Sequence, residues 1–498
     1  MSGPEIFTPL DREIRGSTRF LFGVGQVAEG IKSYCFGMFV LFYYNQVLGL
    51  SGTLCGLAIA LALLVDAISD PAAGSISDNF KSRWGRRHPF MIGAALPLAL
   101  AFFGLFAPPA DLDSTGLFLW LTFFAIATRL MMTVYHMPHM ALGAELTANF
   151  AERTRLVATR QIFGYVGAFV AAAIGFGFFF ADERGGRQNA DAYAPFAFAM
   201  GIMMVISIIL SVWGTRDQIP YLPKPKKSAV GESLLGRVLP DSKSAFENRS
   251  FRHLFGGVLT IYILVGTESA LSLYMYEFFW DLEASEIMML SLLYPVGLII
   301  GAFFTARLHE AWDKGPTLIF GTAGWTVCQL LPVLLRLSDV LPTNGTTELI
   351  VILFAIRLFQ GVLVQQALAS FSSMMADIAD EHDLATGKRQ EGIFFGVVSF
   401  SGKAASGAGT MIAGFALDVI AWPAGAELTD GVATIPPDTI QSLGIVYGPL
   451  VGVFALLAPF AYWGYDLDRA RHQQVLEALA VRNEAEDSSV DSSADTSA

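Results

Sequence analysis

The sequence predicts an all-α membrane protein with twelve transmembrane helices arranged in two halves of six. Only 15% of its 498 residues are charged, whereas about a quarter of the residues in a soluble domain are charged. Apolar segments recur along almost the whole chain, and many exceed the about 20 residues that cross a bilayer as a helix. A polar segment in the middle of the chain separates six such segments from six more.

Two halves and three polar segments make up the predicted domain organisation. The N-terminal half, residues 18–215, contains candidate spans 1 to 6, at residues 18–45, 53–77, 89–108, 117–143, 157–181 and 192–214. The C-terminal half, residues 252–466, contains candidate spans 7 to 12, at residues 253–280, 286–306, 316–337, 348–375, 391–418 and 442–465. Residues 1–17 form an N-terminal segment, and residues 216–251 form a linker rich in Pro, Ser and Lys. The acidic, Ser-rich tail, residues 467–498, has a composition that predicts disorder.

The distribution of basic residues predicts the orientation of the spans. An even number of spans puts both termini on the same side of the membrane. With both termini in the cytoplasm, most of the 32 Lys and Arg residues lie in cytoplasmic segments, as the positive-inside rule requires. The net charge of −12, part of which lies in the acidic tail, does not indicate nucleic-acid binding. We therefore expect a multi-pass protein of a cell membrane, most simply a bacterial inner membrane.

Span 2 contains two acidic residues, Asp66 and Asp70, at positions i and i+4. This spacing places both carboxylates on one face of a helix, about one turn apart. Two buried carboxylates repel each other unless a cation lies between them or one of them keeps its proton. Lys403 in span 11 is the obvious partner, since a buried ammonium group needs a carboxylate. The pattern predicts a reversible cation site, with a purely structural ion pair as the alternative.

Spans 1 and 4 contribute further polar residues at membrane depth. Thr133, His136 and His139 follow one another at i, i+3 spacing in span 4. His136 is interpreted as a histidine that lines a cavity, with a core histidine as the alternative. Two imidazoles without a clear third ligand do not predict a metal site. In span 1, Glu29 and Lys32 share a helical face and neutralise each other, either as a structural pair or as substrate contacts.

A basic loop follows span 2 directly and contains Lys81, Arg83, Arg86 and Arg87. Asp78 precedes this cluster at the end of the span. We expect Asp78 and the three arginines to connect the cytoplasmic ends of helices as a gating latch. Glu268, Glu277 and Arg357 are other charges inside candidate spans, and the sequence assigns no separate roles to them.

Four stretches together resemble the glycoside–pentoside–hexuronide:cation symporters (melibiose permease-like), a family with the major facilitator fold. They are DAISDPAAGSISDNFKSRWGRRHP after span 2, FYYNQVLGLSG at the end of span 1, ERTRLVATRQ after span 4, and ADIADEHDLATGKRQEG after span 10. The resemblance covers nearly the whole chain. It implies that Asp66, Asp70 and Thr133 bind the coupling cation and that Lys403 is their charge partner. Arg160 lies one residue away from the position of an arginine that contacts substrate in the family.

The sequence also departs from this family at positions that matter for ligand choice. An aspartate shared by cation and sugar is replaced by His136, which is therefore assigned to both sites, and the sugar-binding aspartate of span 1 falls on Gly30. Two tryptophans that surround the sugar fall on Met140 and Leu368. A neutral imidazole is a poorer ligand than a carboxylate for a hard cation such as sodium. These departures favour protons over sodium and leave room for an amphipathic, lysolipid-like substrate.

The sequence thus predicts a secondary active transporter, not an enzyme, that works by alternating access. Its expected activity is the symport of a sugar, glycoside or sugar acid with H+ or Na+, without any cofactor. The expected substrate contacts are Glu29, Lys32, His136, Met140, Arg160 and Leu368. The protein is expected to act as a monomer in the bilayer on a small-molecule substrate. A polytopic membrane enzyme that uses His136, His139 and the acids, and a sensor that does not transport, are the alternatives from other classes.

Overall fold

The computed structural model describes residues 14–147, 149–222, 245–387, 391–425, 428–429, 432–433 and 435–495. Within this part of the chain the fold is helical, apart from one short antiparallel hairpin of Leu428–Thr429 and Val432–Ala433. Nine of the described helices are long and apolar enough to cross a membrane. The protein is therefore a multi-pass membrane protein.

The first half begins with a helix that is interrupted several times. α1 (Gly16–Val24) and α2 (Gln26–Cys35) are followed by two π-helical segments, Phe36–Val40 and Tyr43–Val47. The remaining helices of this half are α3 (Gly52–Asn79), α4 (His88–Leu105), α5 (Ser114–Glu145), α6 (Phe150–Ile174) with a π-helical end at Gly175–Phe179, and α7 (Tyr193–Thr215). Three 3₁₀ turns, Asp182–Arg184, Gly186–Gln188 and Ala190–Ala192, connect α6 to α7.

The second half repeats this arrangement after the linker. Its helices are α8 (Arg249–Tyr274) with a π-helical end at Met275–Phe279, α9 (Ala284–Trp312), α10 (Lys314–Leu337), α11 (Thr347–Thr386), α12 (Glu391–Val419), α13 (Pro437–Ile445), α14 (Val451–Ala455), α15 (Leu457–Tyr462) and α16 (Arg469–Asp495). A π-helical segment, Val446–Leu450, lies between α13 and α14. In the predicted linker, Arg216–Tyr221 is a 3₁₀ helix, and residues 223–244 lie outside the described part of the chain.

Three predicted spans are not among the nine long apolar helices, although the chain is helical there. Spans 1 and 12 are divided into short α-helical and π-helical pieces, from Gly16 to Val47 and from Pro437 to Tyr462. Span 11 corresponds to α12, which is continuous but contains Lys403 together with several Ser and Gly residues. π-helical segments inside α-helices occur frequently at functional sites. Spans 1 and 12 thus depart from regular α-helices at corresponding ends of the two halves.

Both halves use glycine at equivalent helix contacts. α2 packs against α6 in the first half, and α8 packs against α12 in the second. A Cβ at Gly30 would lie 2.1 Å from the carbonyl oxygen of Gly164, and a Cβ at Gly266 would lie 2.2 Å from that of Ser406. Small residues let membrane helices approach closely. Equivalent helix pairs thus make the same kind of close contact in both halves.

The two halves meet along α3 and α12, which pack against each other across the centre of the molecule. α9 and α10 pack against α11, while α4 and α3 pack against α5. This arrangement brings span 2 of the first half against span 11 of the second. It is the contact that the sequence required for Asp66, Asp70 and Lys403 to meet.

The tail differs from the disordered segment that its composition predicts. α16 runs from Arg469 to Asp495 and contacts the part of α11 that continues beyond the predicted end at residue 375. Val475 and Leu479 of α16 are buried in the core of the second half. Arg471 lies 2.9 Å from Glu381 of α11, and Arg482 lies 2.9 Å from Asp383. Composition predicts disorder here because it carries no information about the surface of α11 against which the first turns of the tail pack.

Candidate cation and substrate site

A cavity of about 660 Å³ lies between the two halves. α2, α3 and α5 line it from the first half, and α8, α11 and α12 line it from the second. Its volume lies within the range of about 300–1,000 Å³ that is typical of small-molecule sites. Most of the side chains predicted to carry function lie on its wall.

Asp66, Asp70 and Lys403 form the charged centre of this cavity. The Nζ of Lys403 lies 3.0 Å from Oδ2 of Asp66 and also donates a hydrogen bond to Oδ2 of Asp70. Asp66 is buried, and Asp70 and Lys403 are partly exposed to the cavity. The structure therefore brings together the three charges that the sequence singled out, with the ammonium group bridging both carboxylates.

Thr133 of α5 contacts the same two carboxylates from the other side. Its hydroxyl oxygen lies 2.8 Å from Oδ1 of Asp66 and 2.9 Å from Oδ1 of Asp70. Ser69 donates a hydrogen bond to this hydroxyl at 3.4 Å. A threonine hydroxyl has one proton to donate, so it cannot fully satisfy both ionised carboxylates at once.

Arg129 is a site residue that sequence reasoning missed. Its Nη1 lies 3.4 Å from Oδ2 of Asp66, and its guanidinium carbon lies 4.5 Å from the centre of the Phe36 ring. Arg129 stands one helical turn before Thr133 on α5, so both side chains reach the same face. The signal in the sequence was an arginine inside a predicted span, four residues before the predicted cation ligand Thr133. Arg129 gives Asp66 a second cationic partner that Asp70 does not share.

Glu29 and Lys32 of α2 form the ion pair that their spacing predicted. Their charged atoms lie 2.8 Å apart, and Ser33 donates a hydrogen bond to Glu29 at 2.7 Å. The second carboxylate oxygen of Glu29 is buried and has no hydrogen-bond partner among the described residues. Both residues line the cavity, as expected for substrate contacts.

His136 lines the cavity but stands apart from the carboxylate pair. Its Nε2 lies 3.2 Å from the amide oxygen of Gln26 on α2. His139 is buried against Phe22 and bonds to the carbonyl oxygen of that residue at 2.9 Å. The two imidazoles therefore have different partners, and His139 is a core histidine. The structure thus gives His136 a contact with Gln26, and its roles in cation and substrate binding stay predictions.

Met140 and Leu368 also line the cavity, on opposite sides of it. Arg160, on α6, is not among the described residues that line it. Gly30 faces α6, and the 2.1 Å separation from the oxygen of Gly164 leaves no room for a side chain. An acid at this position, as the resembled family has, is therefore excluded by helix packing.

The predicted latch connects helices of the first half. Arg87 is buried and bonds to Asp78, Ser77 and Glu145, with Glu145 at 2.6 Å. Arg86 also bonds to Glu145, at 2.7 Å. Arg83 lies elsewhere, with its guanidinium 5.8 Å from the centre of the Trp84 ring. The cluster thus joins the ends of α3 and α5 through the start of α4, and Glu145 is its central acid.

Comparison with known proteins agrees with this fold. The family model described as MFS/sugar transport protein matches residues 21–469. The chain is 24% identical to an uncharacterized symporter of Synechocystis, over 94% of this chain and 97% of that protein. It is 23% identical to an isoprimeverose transporter of Lactiplantibacillus pentosus, over 91% and 89% of the two chains.

A solved structure of a D-xylose-proton symporter has the same fold, with a TM-score of 0.61 at 14% identity, over 90% of this chain and 97% of that one. Proteins of this kind are transporters, in which the coupling ion is a co-substrate and no cofactor is needed. The chain belongs to the glycoside–pentoside–hexuronide:cation symporters of the major facilitator superfamily, and it is not an enzyme.

Proposed function

We propose that this protein carries a sugar, glycoside or sugar acid together with a proton by alternating access. The observation that carries this proposal is the position of Lys403 between Asp66 and Asp70 on the wall of a cavity between two halves. The similarity to an isoprimeverose transporter supports a sugar-like substrate.

The proposed topology has twelve spans with both termini in the cytoplasm. The interrupted helices from Gly16 to Val47 and from Pro437 to Tyr462, together with α12, add three spans to the nine long apolar helices. The protein acts as a monomer in a bacterial inner membrane. One chain supplies both halves of the cavity, so no second copy is required.

The balance of charges in the cavity suggests how the cation is coupled. The described lining contains the acids Glu29, Asp66 and Asp70 and the bases Lys32, Arg129 and Lys403. These charges cancel without a bound ion. A cation that binds between the carboxylates must displace the ammonium group of Lys403, since a second positive charge there is repelled. Lys403 is thereby freed to move with α12, which links cation binding to the movement of the second half.

A proton suits this exchange better than sodium. When Lys403 leaves, Asp66 keeps Arg129 at 3.4 Å, whereas Asp70 keeps only the hydroxyl of Thr133. A single carboxylate is neutralised by one proton, and the protonated carboxyl then donates to Thr133. Sodium prefers several oxygen ligands, and His136 lies with Gln26 and does not add to them. Asp66, Asp70 and Thr133 therefore form the proposed cation site.

Substrate binds in the same cavity, against the other predicted contacts. Glu29, Lys32 and His136 offer an acceptor, a donor and an imidazole. Met140 and Leu368 offer apolar surface. Because Met137 and Phe371 extend this apolar surface, an amphipathic, lysolipid-like substrate is the second candidate.

Uptake into proteoliposomes tests the proposal with imposed proton or sodium gradients and a panel of pentosides, hexosides, sugar acids and a lysolipid. A pH difference of about one unit can drive about tenfold accumulation when one proton moves with each substrate. We expect Asp70→Asn to abolish this accumulation while exchange of substrate across the membrane persists. Asp111→Asn, on the exposed loop before α5, is the matched control and should behave like the wild type.

Accumulation driven only by a sodium gradient would assign the ion to sodium. Full proton-driven accumulation by the Asp70→Asn variant would contradict the assignment of Asp70 to the cation site. Uptake of the lysolipid alone would replace the sugar with the amphipathic substrate.

A further inference from the structure

A second cavity, of about 480 Å³, adjoins the central one and is lined mostly by residues of the second half. Five residues of the second half line both spaces: Tyr262, Val265, Ser269, Leu368 and Phe371. The two spaces therefore adjoin along these side chains. The sequence did not predict this space, because its residues come from helices that are distant along the chain.

Aromatic side chains of four different helices surround this second cavity. They are Tyr34 of α2, Tyr165 of α6, Tyr294 of α9 and Trp325 of α10. Aromatic rings offer flat apolar faces together with a polar edge. Such faces pack against the C–H face of a sugar ring or against another planar ring.

A buried ion pair supplies the polar end of the second cavity. Nη1 of Arg357 lies 3.2 Å from Glu268 and 2.6 Å from the amide oxygen of Gln360. The guanidinium carbon lies 4.6 Å from the centre of the Tyr294 ring. Nε of Arg357 is buried without a hydrogen-bond partner among the described residues. The Arg357 side chain as a whole is 19% exposed and lines the cavity, so a ligand hydroxyl can contact the exposed part of the guanidinium group, although not the buried Nε.

The charges in this second cavity favour neutral ligands over sugar acids. Arg357 and Glu268 are paired, so the cavity has no net charge from them. A carboxylate ligand would compete with Glu268 for Arg357, which disfavours sugar acids at this end. Hydroxyl groups can accept from Arg357 and donate to Glu268 without breaking the pair.

We infer that the second cavity is a subsite for the second ring of a neutral glycoside, whose first sugar occupies the central cavity. The subsite consists of Tyr34, Tyr294, Trp325, Glu268 and Arg357. This inference rests on the proposed function and narrows its substrate class to neutral disaccharides and aryl glycosides. A monosaccharide fills only the central cavity.

Binding measurements on the purified protein test the subsite with matched probes. Methyl and nitrophenyl glycosides of glucose, galactose and xylose share the first ring and differ in the second group. We expect the nitrophenyl glycoside to bind more tightly to the wild type. Tyr294→Leu should raise its Kd by about tenfold, because a ring–ring contact is lost together with its buried area. The Kd of the methyl glycoside should change less than about twofold.

Phe303→Leu is the matched control, since Phe303 lies on the same helix as Tyr294 and is 75% exposed. It should leave both Kd values unchanged. The methyl glycoside also reports whether each variant is folded. A carboxyphenyl glucoside, which carries its carboxylate on the second ring, should bind more weakly than the nitrophenyl glucoside, and the reverse order contradicts a neutral subsite.

The results separate failure of the subsite from failure of the proposed function. If methyl glycosides bind and Tyr294→Leu weakens both members of a pair equally, or neither, the subsite is wrong and the function stands. If no glycoside or disaccharide binds to the wild type, the proposed function is wrong, and the subsite inference, which rests on it, is wrong as well.

Discussion

The two ends of the helix bundle differ in whether their polar contacts join the halves. At the end where α3 begins, contacts run between the halves. Asp418 of α12 accepts hydrogen bonds from the backbone of Gly52 and Thr53 at 2.9 and 2.8 Å. The indole of Trp422 donates to Gln46 at 2.7 Å, and the hydroxyl of Tyr274 donates to Asn45 at 2.8 Å.

At the opposite end, the strongest clusters stay inside one half. In the first half, Arg86 and Arg87 surround Glu145. In the second half, Lys314 lies 2.6 Å from Asp377, and α16 contacts α11. The joined end is therefore closed, while the clusters at the other end hold each half together. With the cytoplasmic termini proposed above, the closed end is extracellular and the structure faces the cytoplasm.

The two kinds of polar cluster therefore have different roles. Contacts between the halves must break and re-form during each transport cycle. Contacts inside one half persist through the cycle and keep that half rigid. Changes at the closed end should therefore alter the balance between conformations, and changes at the other end should alter stability.

The largest effect is expected when Arg87 is replaced by Ala. Arg87 is buried and its removal leaves Glu145 without one of its two arginines. Breaking a buried ion pair from one side costs about 3–5 kcal/mol, so thermal unfolding of the detergent-solubilised protein should shift to clearly lower temperature. Arg83→Ala, in the same loop but over Trp84, is the control and should change the unfolding temperature little. Equal effects of the two variants would remove the distinction between them.

A smaller effect, on conformation, is expected from Gly414→Ala. A Cβ at Gly414 would lie 2.0 Å from the carbonyl oxygen of Gly52 in the other half. Overpacking of this kind costs about 1–3 kcal/mol, so the closed end should open about tenfold more often. Maleimide labelling of Cys55, which is buried at this end, measures the opening in a background with Ser at Cys35 and Cys328.

Gly396→Ala serves as the control for that experiment. Gly396 lies on the same helix, and a Cβ there would meet no atom within 4 Å. Its labelling rate should equal that of the unsubstituted protein. A Gly414→Ala variant that labels no faster than Gly396→Ala would contradict the assignment of the closed end.

The smallest effect is expected from Asp418→Ala. Asp418 caps the start of α3 from the other half, and loss of a cap costs about 1 kcal/mol. The labelling rate of Cys55 should rise about fivefold, and Asp418→Asn, which keeps an acceptor, should restore part of the difference. Asp113→Ala is the control, because Asp113 caps α5 within its own half at 2.8 Å. That variant should lower stability without faster labelling.

Much of the cation site was predictable because each residue obeys a local rule. Asp66 and Asp70 share a helical face by spacing, and Lys403 needed a buried acid. His136 was assigned to the cation site by resemblance alone, and the structure turns it toward Gln26. Arg129 was visible as a charge inside a span, yet its partner could not be identified from the chain. Many acids were available to it, and only the packing of α5 against α3 selects Asp66.

By itself the sequence determined the membrane class, the division into two halves, and the residues that share a face of one helix. These properties depend on composition and on the 3.6-residue period of the α-helix, which are local. The tertiary structure decided which faces meet, that Lys403 contacts both acids, that one end is closed, and that the tail docks on α11. It also created the aromatic cavity beside the central one. These features depend on contacts between segments far apart in the chain, and helix periodicity alone does not specify them.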